Sequence, residues 1–279
     1  MQCSFLLVCG LGLWGCSPAS LPLPIAEAQE ESEGLPAEQT QVIELVPAVA
    51  DTEAPPADCL TAGPRRLRIG QGDEVVSGDA GLPLVALTFD AGAAAGAANQ
   101  LLDVLSSRGV HSTFFITGAF ADRYPDLIAR IAADGHELAN HSYSHPDFRK
   151  LTENQMRVEI RRAAASIEAA SGSAPTLLWR PPFGSRDKRI LQVVDDEGYR
   201  PIYWTLDSGD WLDGATEQKV RSTVLSKAGA GAIVVGHISP DATARAMPAI
   251  IDGLRDQGFA LVTVSQLLGE APVCPAPPY

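Results

Sequence analysis

Leu84-Val-Ala-Leu-Thr-Phe-Asp-Ala-Gly92 decides the fold. It is a short run of apolar and β-branched residues that ends on a carboxylate and a glycine, and a longer amphipathic stretch, Gly96 to Ser107, follows it. A run of that length and composition predicts a buried strand, and the stretch behind it predicts a helix. The same alternation continues down the chain. Strands are expected at Leu84 to Phe89, Ser112 to Ile116, His136 to Ala139, Thr176 to Trp179, Pro201 to Leu206, Ala232 to Val235 and Ala260 to Val264. Further helices are expected at Asp122 to Asp134, Thr152 to Ala170, Arg186 to Glu197, Thr216 to Ala228 and Ala242 to Asp256. The longest opens Thr152-Glu-Asn-Gln155, a capping-box pattern, and places Met156, Ile160, Ala163 and Ile167 along one face. Gly109, Gly135, Gly172, Gly198 and Gly258 follow the helices where left-handed caps are wanted.

Strands alternating with helices at this spacing imply a parallel α/β architecture, either an open doubly wound sheet or a barrel. Seven strands favour an irregular, incomplete (β/α) barrel. The polar residues fall at the ends of the strands: Asp90 after the first, Asn140 and His141 after the third, Arg180 after the fourth, Asp207 and Asp210 after the fifth, and His237 after the sixth. In parallel α/β folds those ends share one face, where sites are built.

The 279 residues, 46% of them apolar, suit one large domain with appendages. The net charge of −13 is unevenly spread: nine acids and no Lys or Arg precede Arg65, and the remaining 25 acids against 21 bases leave the body at −4. Nucleic acid is therefore not an expected partner. Residues 1–16 carry an apolar run shorter than the ~20 residues a bilayer span needs, and they read as a secretion signal. Its end, Leu13-Trp-Gly-Cys16, resembles a bacterial lipoprotein cleavage box with Cys16 as the lipidated residue; plain secretion and a buried N-terminal helix are the alternatives. Residues 17–62, rich in Pro, Ala and Glu, read as an acidic tether. Residues 63–279 form the expected domain, with its core at 84–268. Cys59 and Cys274 are either a disulfide between tether and tail or two free thiols. The expectation is an exported chain in a bacterial cell envelope, either lipid-anchored or free in the periplasm or outside the cell, with a lipid anchor its one membrane contact; a monomer is expected.

His141 and His145 stand four apart in Asn140-His-Ser-Tyr-Ser-His-Pro-Asp147, in a chain with five histidines. Two imidazoles at that spacing share a helical face or one turn of a loop, and either grip one metal ion or stand as solvated turn residues.

Five segments taken together resemble the polysaccharide deacetylases, the NodB-homology group also called carbohydrate esterase family four. They are Thr88-Phe-Asp-Ala-Gly92, His141-Ser-Tyr-Ser-His145, Arg180-Pro-Pro-Phe183, Asp207-Ser-Gly-Asp-Trp211 and Ile233-Val-Val-Gly-His237, in the family's order and each at a strand end. The resemblance spans about Leu84 to Leu268 and implies a NodB-type barrel. It also implies a divalent metal, usually zinc, that activates water to remove N-acetyl or O-acetyl groups from a glycan polymer, with cell-wall peptidoglycan the available one. On that resemblance His141 and His145 are metal ligands, Asp90 is the general base, and Arg180 holds Asp90 ionised. His237 is the general acid, kept protonated by Asp210, and the Phe183 N–H faces the developing oxyanion. Trp211 and Val235 wall a pocket for the acetyl methyl. Asp207 is the weaker of the two aspartates as the partner of His237, Ser142 braces the loop, and His111 and His136 are structural residues without partners.

One position departs from the pattern. The family has a second aspartate after the base, a metal ligand, and this chain has Ala91. The expectation is retained activity, with two histidines plus water or a carboxylate from elsewhere, Asp90 among the candidates, completing the ion's shell. The alternatives are weak metal binding or lost catalysis, which would leave a non-catalytic glycan-binding module; a small-substrate amidohydrolase is a further reading. No G-x-S-x-G elbow occurs, which disfavours a serine hydrolase.

Overall fold

The computed structural model describes residues 73–92 and 94–272. Cys16, Cys59 and Cys274 and the expected signal and tether lie outside them. The strands are β1 (Leu84–Ala91), β2 (Thr113–Ile116), β3 (Glu137–Asn140), β4 (Leu178–Trp179), β5 (Arg200–Pro201), β6 (Leu206–Asp207), β7 (Ala232–His237) and β8 (Ala260–Val262). The helices are α1 (Ala98–Ser107), α2 (Gly118–Arg123), α3 (Pro125–Ala133), α4 (Glu153–Ser171), α5 (Lys188–Asp196), α6 (Glu217–Lys227), α7 (Asp241–Asp256) and α8 (Val264–Leu267).

All pairings are parallel, in the order β5-β4-β3-β2-β1-β7-β6. β7 takes Val85 to Asp90 on one edge of β1, so β2 and β8 share the other edge, β8 against Leu84 to Ala86 and β2 against Thr88 to Ala91. The run expected as one strand from Pro201 to Leu206 is two strands at opposite ends of this order. That split forces the sheet to curl. Seven flat strands would span six spacings of about 4.8 Å, roughly 29 Å, whereas the chain from Pro201 to Leu206 reaches about 17 Å at most. The outer strands must therefore come round toward each other, giving the incomplete barrel. Val75 lies in the seam: its N–H donates to Pro201 O (2.9 Å) and its carbonyl accepts from Tyr203 N–H (2.7 Å).

The curl separates two apolar layers. Ala86, Phe115, Ala139, Leu178, Ile202, Ile233 and Val262 fill the interior. Val85, Leu87, Phe89 and Ala91 alternate to the outside and pack beneath the helices with Leu101, Ile250 and Leu254. Asp90 has the inward parity of Ala86 and Thr88, which delivers its carboxylate to the barrel mouth. Ala91 has the outward parity.

Helix ends follow local chemistry. Thr152 and Gln155 form the capping box expected for α4, whose buried residues are Met156, Ile160, Ala163 and Ile167. Gly172 ends α4 at φ 78°, a left-handed cap where a side chain would be strained, and the other four flagged glycines also have positive φ. The helix expected from Asp122 to Asp134 is two: Pro125 cannot donate into a continuing ladder, so α2 stops at Arg123 and α3 restarts with proline in its first turn.

Candidate active site

Asp90 is 8% exposed at the end of β1. Its Oδ1 accepts from an Arg180 guanidinium nitrogen at 2.7 Å, and its Oδ2 lies 3.6 Å from His141 Nε2. Arg180, fully buried, also donates to Thr88 Oγ1 (2.8 Å) and to the Tyr203 carbonyl (3.3 Å), and it lies 3.8 Å from the Phe115 ring centre. Thr88 in turn donates to the Val234 carbonyl (2.7 Å), so the guanidinium is fixed from several elements. Burial alone would raise the Asp90 pKa. The Arg180 charge, with those of His141 and His237 and the Arg180 hydrogen bond, outweighs it and holds the carboxyl below its ordinary value.

The two histidines sit on a loop, not a helix. His141 Nδ1–H donates to the Arg180 carbonyl (2.9 Å), which leaves the Nε2 lone pair toward Asp90 and the cleft. Burial pushes the His141 pKa down to about 4 against the pull of Asp90, and burial also lowers that of His145, so both rings are neutral at physiological pH. Their ring centres are 4.9 Å apart, and Phe183 stands 4.4 Å from His145. Ser142 Oγ accepts from His145 N–H (3.1 Å). Phe183 itself has φ 57°, a rare conformation for a side-chain-bearing residue, and its ring is 72% exposed at the rim.

At the end of β7, His237 Nδ1 meets Asp210 Oδ1 at 2.8 Å. Asp210 Oδ2 accepts from the His237 N–H (2.7 Å) and from Thr243 Oγ1 (2.5 Å). Burial lowers the His237 pKa, but the Asp210 hydrogen bond and the charges of Asp90, Asp210 and Asp207 raise it on balance above the ordinary value. Asp207 accepts from Gly209 N–H (2.8 Å) and Trp211 Nε1–H (3.1 Å), so it braces the Trp211 turn rather than His237.

These groups line one cleft of about 500 Å³ with Gly92, Pro181, Gly184, Trp204, Trp211, Val235 and Ser239. The structure thus brings together Asp90, His141, His145, Phe183, Trp211, Val235 and His237, with Arg180 and Asp210 directly behind. Ala91 is fully buried in the helix-facing layer and contributes nothing to the cleft. His111 and His136, expected to lack partners, have one another: their rings meet edge to face at 6.1 Å, and His136 Nδ1 accepts from Ser112 N–H (3.2 Å). Both lie at the opposite ends of the strands from the cleft.

Sequence reasoning missed Thr88, Trp204 and Thr243, which touch the site only through contacts distant in the chain, and Glu159, whose oxygens accept from the histidine loop. No local pattern marks a lone hydroxyl or a helical glutamate.

A divalent ion that favours nitrogen fits the donor chemistry. Two neutral imidazoles face one cleft, the His141 tautomer is set by a backbone carbonyl, and a carboxylate balances charge. Position 91 adds no third donor. Among the described residues no group of three or more His, Cys, Asp and Glu side chains is placed to hold a metal.

A family model described as polysaccharide deacetylase matches residues 77–202. The peptidoglycan-N-acetylglucosamine deacetylase of Bacillus cereus is 30% identical over 187 residues, 66% of this chain and 67% of that protein. The chitooligosaccharide deacetylase of a Bradyrhizobium is 32% identical over 197 residues, 66% of this chain and 90% of that one. The chain belongs to the polysaccharide deacetylase family. The family's (β/α) barrel is the curled sheet described above, and its named deacetylases act on N-acetylated glycans. A solved structure of wild-type BA3943 from Bacillus anthracis, described as a CE4 family pseudoenzyme, matches with a TM-score of 0.68 at 27% identity, covering 71% of this chain and 70% of that one. The same fold therefore carries both active deacetylases and a protein named as inactive.

Proposed function

We propose that this polysaccharide deacetylase relative hydrolyses N-acetyl or O-acetyl groups on a glycan polymer, with cell-wall peptidoglycan as its substrate. The observation that carries this reading is geometric: Asp90 tied to Arg180 and His237 tied to Asp210, which raises the histidine's pKa, face one cleft beside two imidazoles. His141 and His145 would hold a divalent ion, zinc by the donor chemistry, whose charge acidifies water and stabilises negative oxygen. Asp90 Oδ2, turned to the cleft while Oδ1 is tied to Arg180, takes the proton from the attacking water. The Phe183 N–H faces the oxygen that gains charge at the acetyl carbon. His237 has Nδ1 engaged by Asp210, so Nε2 is the atom that delivers a proton to the departing amine. Trp211 and Val235 flank the acetyl methyl. Phe183 and Trp211, 72% and 59% exposed, leave an open aromatic rim that suits a polymer better than a small enclosed substrate.

Acetate release from N-acetylglucosamine oligomers and from peptidoglycan, with Zn²⁺ supplied, tests the proposal. Wild type is expected to release acetate, and Asp90→Asn to lose about 10²–10⁴-fold of the rate. Ala91 and the likeness to BA3943 favour a second reading, a glycan-binding module without turnover. Glycan retention without acetate from either polymer would select it. The sequence supports export, a lipid on Cys16 and a Cys59–Cys274 bridge as parts of the same proposal.

A further inference from the structure

The histidine loop is under strain: two residues with side chains, Ser142 and His145, have φ of 68° and 58°. Something outside the loop must hold it, and its backbone shows what does. The carbonyls of Ser142 and Tyr143 accept from the first N–H groups of α2, Gly118 and Ala119, at 3.0 Å each. The two N–H groups at the apex, Tyr143 and Ser144, both donate to Glu159 Oε2, at 3.0 and 2.7 Å, and Ser144 Oγ donates to Oε1 at 2.9 Å. Glu159 is half-buried on α4 beside Ile160, at the flank of the face that buries Met156, Ile160, Ala163 and Ile167. Asn140 ties the same helix to the loop's start, donating to the Ile160 carbonyl (2.8 Å) and accepting from Ser142 N–H (2.9 Å).

We propose that Glu159 is a positioning residue: one carboxylate gathers the apex of the loop between His141 and His145 and so sets where both imidazoles stand. This rests on the reading of those imidazoles as metal ligands. Reach and charge can be separated at this position. Glu159→Gln keeps the side-chain length, and its oxygen can accept from both N–H groups while its amide donates to Ser144 Oγ. Glu159→Asp keeps the charge but falls one methylene short of the loop.

Zn²⁺ is titrated calorimetrically into the full chain for wild type, Glu159→Gln, Glu159→Asp and Glu159→Ala, and hydrogen exchange of segment 141–146 is followed in the metal-free proteins. Partners that orient metal ligands are worth about 10–100-fold in affinity. Glu159→Gln is expected to stay within about threefold of wild type, and Glu159→Asp and Glu159→Ala to weaken by about 10–100-fold, with faster exchange confined to the loop. Tight binding by the Asp variant with weak binding by the Gln variant would assign the effect to charge and overturn the proposal, as would unchanged loop exchange in every variant. If wild type takes up no Zn²⁺, the metal reading falls, and the exchange pattern still decides whether Glu159 braces the loop.

Discussion

Asp90 and Ala91 are neighbours on one strand that face opposite layers, and most of the chemistry turns on that pair. A carboxylate at 91 would start from an apolar, fully buried site. In metal-free Ala91→Asp it has no partner, so the variant should lose about 1–3 kcal/mol of stability. Because position 91 faces the helix layer and not the cleft, that carboxylate has no path to the ion, and Zn²⁺ affinity should not rise above wild type. Denaturation with chelator and calorimetry with Zn²⁺ check both halves; affinity raised about tenfold or more would show that position 91 turns to the ion. Asp210→Asn separates the acid from the base. Asp210 raises the His237 pKa, so the protonated acid persists to higher pH than a free imidazole would allow. Removing that charge should pull the alkaline limb of the kcat/KM profile to lower pH and leave the acid limb, set by Asp90, in place. The residues legible from sequence were those the topology delivers to strand ends. Thr88, Thr243 and Glu159 were not, because each acts across a separation the chain alone does not reveal, 33 residues for Thr243 and Asp210.

At the scale of elements, boundaries followed capping chemistry where it was strong and failed where tertiary pairing decided. Thr152 with Gln155 and Gly172 fixed both ends of α4 in advance. The β-branched and aromatic run from Pro201 to Leu206 gave no sign that Ile202 to Thr205 would leave one edge of the sheet and join the other, since pairing partners, not propensity, make that division. The foot of β3 offers a test in stability. His136, 7% exposed against Phe114 and His111, has its pKa lowered from 6.5 to about 4, mainly by burial. A depressed histidine favours the native state when neutral, so its contribution is whole above pH 6.5 and drains as pH falls toward 4. The full effect is about 3 kcal/mol. Urea midpoints at a series of pH values should therefore fall more steeply for wild type than for His136→Asn, which does not titrate; parallel curves would show that His136 is not the group responsible.

For the whole molecule, strand and helix alternation left a parallel open sheet or a barrel, the strand count favoured the barrel, and the five motif segments were enough to reach its family. The closing of the sheet through Val75 and residues 202–205 was not legible, because it depends on which edges remain free after every other strand has paired. Among the described residues no helix is long and apolar enough to cross a membrane. The account depends on a cation held by two imidazoles without the usual carboxylate beside them. Calorimetric titration of Zn²⁺ into chelator-stripped protein measures this directly. One equivalent per chain in wild type and none in the His141→Ala, His145→Ala double variant is the expected result; a folded wild type that takes up no Zn²⁺ would contradict it.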